Sequence, residues 1–341
     1  MPDPIVSIVI PGYNRPEPLR YTLRSVARAV GRLGASAEVL LVDDGSEPPL
    51  HDQLAGFDPG LAVTWLRQAN QGSIVARAAG IAAAQGEFVL LLDSDDLIHP
   101  DKLVRHAEAM RRTGAEISYC DYAIAELGPD HAVARFADGD RLPATTDPLE
   151  FFLSLQPLPH VPVYRRSYLQ RCLRDPLVPA DRRMDPSGDA WLYYNLIPHP
   201  ATITKIDGAL SAVGPHDAGR YSQRWEMLSA ASLLIAETFQ RRTAGRGEYA
   251  AARAAVARCA SESWRRLPYD FDARYQRRLL AVWRQAPPAA TIGGRFFTVA
   301  ARLLGPVAAG RIFRRLTGQP YRVSRTLDDA ELARLFATLN L

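Results

Sequence analysis

Two acidic clusters are notable for what precedes them. Asp43-Asp44-Gly45-Ser46 follows the apolar run EVLLV at 38–42, and Asp93-Ser94-Asp95-Asp96 follows FVLLL at 88–92. Both runs read as strands. In an open α/β sheet, ligands gather beyond the carboxyl ends of the strands, so the two clusters could face one crevice. Crowded carboxylates repel and are costly to bury unless a cation or hydrogen-bond donors compensate. A divalent Mg2+ or Mn2+ ion carrying a phosphorylated ligand is the natural compensation, because such hard cations take carboxylate oxygens, phosphate oxygens and water. Each cluster alone has a plainer explanation. Asp43-Asp44-Gly45 could be a solvated turn whose glycine supplies a positive φ, and Asp93–Asp96 could cap a helix before Pro100. Their joint occurrence at corresponding positions favours a site.

The elements that must hold these residues alternate along the first 120 positions. Residues 5–11 (IVSIVIP), 38–42, 62–66, 88–92 and 117–120 read as strands. Residues 17–32, with Leu19, Leu23, Val26 and Val30 at helical spacing, and residues 73–84 and 100–112 read as helices. This alternation with short connections predicts βαβ units and a mostly parallel, Rossmann-like sheet flanked by helices. Residues 125–190 are proline-rich and irregular, as expected of loops over a site. From about residue 221 the pattern is helical: 221–242, 248–265, 273–283, 295–316 and 328–339, with Gly305-Pro306 expected to break or kink the fourth. Asp328 is placed to cap the last helix.

The chain has 341 residues with a net charge of +4, which hides a split. Residues 1–219 hold 20 basic and 28 acidic side chains, and residues 220–341 hold 21 and 9. Cys120, Cys172 and Cys259 are widely spaced and suit neither a disulfide framework nor a zinc site, which points to a reducing, cytoplasmic compartment. No basic leader and no long charge-free apolar run is seen, so neither a signal peptide nor a transmembrane helix is expected.

Four motifs then occur in order: Ser7-Ile8-Val9-Ile10-Pro11-Gly12-Tyr13-Asn14-Arg15; Leu41-Val42-Asp43-Asp44-Gly45-Ser46; Asn70-Gln71-Gly72 with Ala76-Arg77; and Gly86-Glu87-Phe88 with Leu92-Asp93-Ser94-Asp95-Asp96. Together they resemble the family 2 glycosyltransferases, which are inverting, nucleotide-sugar-dependent enzymes of the GT-A fold. The resemblance covers roughly residues 5–220. It implies a catalytic domain over 1–220, with 1–120 binding the nucleotide sugar and 121–220 holding the acceptor and catalytic part, followed by a basic helical region at 221–341. By resemblance, Pro11, Tyr13 and Arg15 line the nucleotide pocket, Asp43 accepts a hydrogen bond from the base, Asp44 lies nearby, and Arg77 approaches nucleotide or phosphate. A solvated Arg77 is the plainer alternative. Asp93 and Asp95 match the D-x-D motif: Asp95 binds Mn2+ or Mg2+ directly, Asp93 holds ribose or metal-bound water, Ser94 belongs to the nucleotide-sugar site and Asp96 supports the loop. Asp189, in Ser187-Gly188-Asp189-Ala190-Trp191, is implied as the general base, with Asp185 as competitor. His216 is the candidate metal ligand and His199 a weaker one. His160, Arg165 and Arg166 fall in the acceptor region and could contact an anionic acceptor, or merely flank a helix start. The sequence departs from the family pattern at Ala78, where Asn is frequent, and at Gly188, where Glu is frequent; each removes a polar group from the expected site.

The implied activity is metal-assisted transfer of a sugar from a nucleotide-diphosphate sugar to a saccharide or lipid-linked acceptor, in the manner of polysaccharide biosynthesis. A sugar-phosphate nucleotidyltransferase would need a glycine-rich basic phosphate loop where this chain has Gly-Tyr-Asn-Arg-Pro. A phospho-acceptor signalling domain would begin at Leu41-Val42-Asp43-Asp44, yet a strand precedes it. A non-catalytic nucleotide-sugar-binding protein is disfavoured by the retained acids. The tail carries eleven arginines from Arg274 to Arg325 and no acid between Asp272 and Asp328. It could lie on the anionic cytoplasmic face of an inner membrane, or cap the catalytic domain, or join two copies of the chain. Nucleic acid is the least favoured partner, as no fold signature for it is visible.

Overall fold

The computed structural model describes residues 3–128, 133–137, 139–215, 223–285 and 294–340. The chain divides into two compact units. The first comprises Met1–Pro176, Ala180–Asp189 and His199–Ala218, and the second Leu177–Pro179, Ala190–Pro198 and Gly219–Leu341.

In the first unit, strand β1 (Val6–Gly12) is buried along its whole length. Helix α1 (Pro16–Leu33) starts on a proline suited to the first helical turn and ends at Gly34 with φ 64°. It buries Leu19, Leu23, Val26 and Leu33 on one stripe. Strand β2 (Ala37–Asp43), the single turn α2 (Leu50–Gln53), β3 (Thr64–Arg67), α3 (Ser73–Ala83) and β4 (Phe88–Leu91) complete the first βαβ part. Its strands run parallel in the order β3-β2-β1-β4. Gly80 explains how closely α3 lies on the sheet: a Cβ there would sit 2.3 Å from Val9 Cγ1.

Beyond β4 the sheet is mixed. Strand β5 (Leu97–Ile98) precedes α4 (Lys102–Thr113) and β6 (Ile117–Leu127); β7 (Val133–Ala137), β8 (Val163–Arg165), α5 (Arg166–Leu173), α6 (Gly188–Leu196) and β9 (Ile203–Val213) follow. Among the described residues the sheet has nine strands, continuing β4-β8-β6-β9-β5, with β7 paired to β6. Here β6 and β9 are parallel, but β8 runs antiparallel to both β4 and β6, β7 to β6, and β5 to β9. The mostly parallel expectation therefore holds for β1–β4. It gives way where residues 139–162 return the chain irregularly, through a π-helical turn at Glu150–Leu155, instead of by a crossover helix.

In the second unit, α7 (Trp225–Arg242), α8 (Ala250–Arg266), α9 (Ala273–Trp283), α10 (Arg295–Leu304), α11 (Pro306–Thr317), the short α12 (Tyr321–Ser324) and α13 (Asp329–Thr338) follow one another. Gly305-Pro306 breaks the fourth expected helix into α10 and α11, and Asp328 forms a capping box with Glu331. Trp264 stacks on Trp283 with ring centroids 6.0 Å apart, and Phe271 meets Trp225, Tyr275, Tyr321 and Phe336. Arg314, one of the tail's arginines, is buried. It donates to the Leu267 carbonyl at 3.1 Å and to Gln276 Oε1 at 2.8 Å, and lies over the Trp264 ring.

Candidate functional site

The carboxyl ends of β2 and β4 carry the acidic clusters. Asp43 and Asp44 are both buried and are tied into their loops by backbone donors. Asp43 accepts from the Ser46 amide at 2.9 Å and the Leu50 amide at 3.0 Å, which folds the turn into α2. Asp44 accepts from Gln68 Nε2 at 2.7 Å and from the amides of Gln71 and Gly72 at 2.9 and 2.8 Å, which fixes the entry to α3. The resemblance pictured Asp43 as reaching for a base; here both of its oxygens already serve the turn. The open space lies alongside, in a cleft of about 780 Å³ lined by Tyr13, Asn14, Glu47, Arg67, Gln68 and Asn70 among others. Tyr13 is the half-exposed aromatic of that cleft, while Pro11 is buried within β1. The Asn14 amide donates to Ser46 Oγ at 2.9 Å and its side chain accepts from the Glu47 amide at 3.1 Å, joining the loops after β1 and β2.

The second cluster is wired to arginines. Arg77, on α3, is 4% exposed. Its guanidinium lies 2.7 Å from Asp93 Oδ1 and 3.5 Å from Asp189 Oδ1. Solvated Arg77 is thereby overturned: the helix face that carries it packs inward. Arg15 pairs with Asp95 Oδ2 at 2.7 Å. Asp96 accepts from the Gly214 amide at 3.1 Å and lies 2.6 Å from Nδ1 of the fully buried His160. Ser94 is buried in the same loop. Gly214 is required at its place, since a Cβ would sit 1.8 Å from the Asp95 carbonyl oxygen.

Asp189 opens α6. Its acidity is weakened and its carboxyl is pushed up to about 6, first by desolvation and then by the Asp93 and Asp96 carboxylates, with Arg77 and His160 pulling the other way. Its side chain still keeps 41% of its surface open. Asp185, the competitor, is spent elsewhere: Oδ1 accepts from the Ile74 amide at 3.1 Å and Ser73 Oγ at 3.3 Å, satisfying the start of α3.

Of the other sequence candidates, His160 joins this cluster from its buried side and the arginines of the expected acceptor region do not. His160 is buried against Asp96, so it cannot meet an acceptor. Arg165 pairs with Glu87 at 3.2 Å and Arg166 donates to the Gly86 carbonyl at 2.8 Å, both at the opposite, amino end of β4. Burial first, and Arg171 of α5 second, hold the His199 imidazole below its ordinary value. His216 lies outside the described residues. The cleft-lining residues that sequence reasoning missed include Arg67, Gln68 and Glu47, whose only signal was their position at a strand end or in the loop beyond one.

A protein-family model, glycosyl transferase family 2, matches residues 7–170. The chain carries a family 2 glycosyltransferase domain. Curated relatives include the succinoglycan biosynthesis proteins ExoO and ExoW of Rhizobium meliloti. Both are 32% identical over 148 residues, covering 42% and 39% of this chain and 41% and 46% of theirs. The family 2 domain is thus shared with proteins of which this chain spans less than half. Among solved structures, S. aureus TarS 1–349 in complex with UDP-GlcNAc has a TM-score of 0.63 at 18% identity, covering 93% of each chain. That likeness is one of fold, and the family 2 domain lies in a GT-A-like mixed sheet followed by a helical region.

Proposed function

We propose that the chain is an inverting glycosyltransferase that takes a sugar from a nucleotide-diphosphate donor and passes it to an acceptor hydroxyl in polysaccharide biosynthesis. The observation that carries this is the Asp93–Arg77–Asp189 chain: residues 16 and 112 positions from Arg77 meet on one buried guanidinium at the ends of β4 and α6. The UDP-GlcNAc complex of TarS and the succinoglycan role of ExoO and ExoW support the donor and product classes.

The donor's base would rest in the cleft beside Tyr13, where an aromatic face can stack on it, with Arg67 and Gln68 as polar partners. Among the described residues no three metal-ligating side chains converge. Two carboxylates one residue apart, each now neutralised by an arginine, nonetheless suit Mg2+ or Mn2+, which commonly takes one or two carboxylates and completes its shell with phosphate oxygens and water. Asp95 would hold the ion, with Asp93 beside it and His216, two residues beyond Gly214 in sequence, as a further ligand. When bound, the ion neutralises charge developing on the leaving diphosphate. Arg77 holds Asp93 and Asp189 in place and offsets their repulsion. Asp189 takes the proton from the acceptor hydroxyl as that oxygen attacks the anomeric carbon opposite the leaving group, which inverts the configuration. Its raised proton affinity suits a base working near neutrality.

A panel of nucleotide sugars with Mn2+ or Mg2+, assayed for nucleotide diphosphate release, tests the proposal. Release with at least one donor, lost on Asp189→Asn and Asp95→Ala but kept in the surface variant Arg32→Gln, is the expected result. Absence of both binding and turnover across the panel would overturn it.

A further inference from the structure

We propose that α10 and α11 form a docking surface for an anionic lipid membrane. The two helices pack on each other through Phe297, Ala301 and Ala309, with the Phe297 and Phe313 rings 5.6 Å apart. That packing uses only their inner stripe. The other side of α10 leaves Phe296 86%, Val299 56% and Leu303 78% exposed, at i, i+3 and i+7. On α11, Ile312 and Leu316 remain 45% and 77% exposed at i and i+4. A soluble surface rarely spends five large apolar side chains on water in so short a span.

Charge decides what covers them. Arg295, Arg302, Arg311 and Arg315 are all exposed on the same two helices. No acidic residue stands between Asp272 and Asp328 to neutralise them. A second copy of the chain docked face to face would bring two such arginine sets together, with like charges opposed across the contact. An anionic bilayer supplies what the face lacks: negative headgroups for the guanidinium groups and an acyl boundary for the phenylalanine and leucines. Long arginine side chains can bury their stems while keeping the charge at headgroup level. No described helix is long and apolar enough to cross a membrane, so the attachment would lie in the interface plane.

Full-chain protein mixed with vesicles of phosphatidylcholine alone or with phosphatidylglycerol, then floated on a density gradient, tests this without turnover. The expected result is flotation with the phosphatidylglycerol vesicles and not with phosphatidylcholine alone, weakened by salt. Phe296→Ser with Leu303→Ser should reduce the bound fraction about tenfold while leaving the thermal melt and nucleotide-sugar binding unchanged, because both side chains face water. Arg302→Gln with Arg315→Gln should shift the salt midpoint of binding downward. No flotation with anionic vesicles at low salt would overturn the proposal. So would flotation indifferent to the serine pair, or light scattering that shows a dimer which the serine pair dissociates. None of these outcomes bears on whether the site transfers sugar.

Discussion

Arg77 and Arg15 hold the two acids of the D-x-D motif as ion pairs, and the pairs differ in kind. Arg77 is buried and bridges Asp93 to Asp189, whereas Arg15 meets Asp95 from a side chain that is 37% exposed. A cation bound by Asp95 must displace or share that partner, so the Arg15→Ala variant should bind Mn2+ several-fold more tightly without nucleotide, as followed by the Mn2+ electron-spin signal. The same variant should bind donor more weakly, since it lacks the guanidinium that a cation on Asp95 would free to meet the diphosphate. Unchanged Mn2+ affinity would show that the pair does not guard the carboxylate. Asp189 gives a pH test. Its folded carboxyl titrates near 6 against an ordinary 3.8, so between those values the folded state holds a proton that the unfolded chain has lost. The associated stability is present below the ordinary value and lost as pH rises through 6. Melts of ligand-free protein from pH 4 to 8 should therefore show Asp189→Asn gaining on the wild type as pH rises. The wild-type kcat/KM should carry a rising limb near 6. Parallel melting curves would place the titration elsewhere.

At the level of elements, α4 and β6 enclose a buried polar cluster that the proposed chemistry does not use. Lys102 Nζ donates to the Val161 carbonyl at 3.0 Å and lies 3.3 Å from His106 Nε2, while His106 Nδ1 lies 2.7 Å from Ser118 Oγ. Burial pushes the Lys102 ammonium below its usual 10.5 and His106 well below 6.5. A lysine that binds its proton less tightly when folded releases it at a lower pH than the unfolded chain does, so the cost of burying it shrinks as pH rises towards 10.5. Lys102→Met keeps the volume and should cost under about 1.5 kcal/mol, with a flatter pH profile, whereas Lys102→Ala leaves a cavity and should cost about 3 kcal/mol. Urea titrations at pH 7 and 9 would separate them, and equal costs would refute the packing argument. Element by element, the sequence was legible where periodicity was clean. β1, α1, β2, α3 and β4 fall within a few residues of their expected spans. The eleven-residue β9 was not foreseen, because its buried and exposed positions do not alternate, Gly208 sits inside it at φ 95°, and its register against β6 shifts at Asp121. Such irregular pairing erases the two-residue period that marks a strand. For the site, residue types were readable but partnerships were not. Nothing local says that Arg77 faces Asp189 112 positions later, that Asp185 caps α3, or that both oxygens of Asp43 accept from its own turn.

Across the whole molecule, the net charge of +4 averages over an acidic majority and a basic terminal third. Charges on a protein act over roughly a Debye length, about 8 Å at physiological salt, so a surface meets the local set and not the sum. Many acids of the first unit are moreover absorbed internally: Asp43 and Asp44 by backbone amides, Asp93 and Asp95 by arginines, Asp121 by Lys205 at 2.8 Å. The exposed arginines of α10 and α11 have no acid within their own stretch of chain. The protein should therefore bind a cation-exchange matrix at pH 7.5 more tightly than a chain of net charge +4 with evenly spread charge. Arg302→Gln with Arg315→Gln should lower the eluting salt concentration clearly. Arg32→Gln should lower it less per charge removed, since Arg32 faces Asp101 at 3.0 Å and its loss leaves that acid uncovered only locally. If retention followed net charge alone, one substitution at Arg32 would shift elution by half as much as the pair, and the basic tail would have no separate existence as a surface.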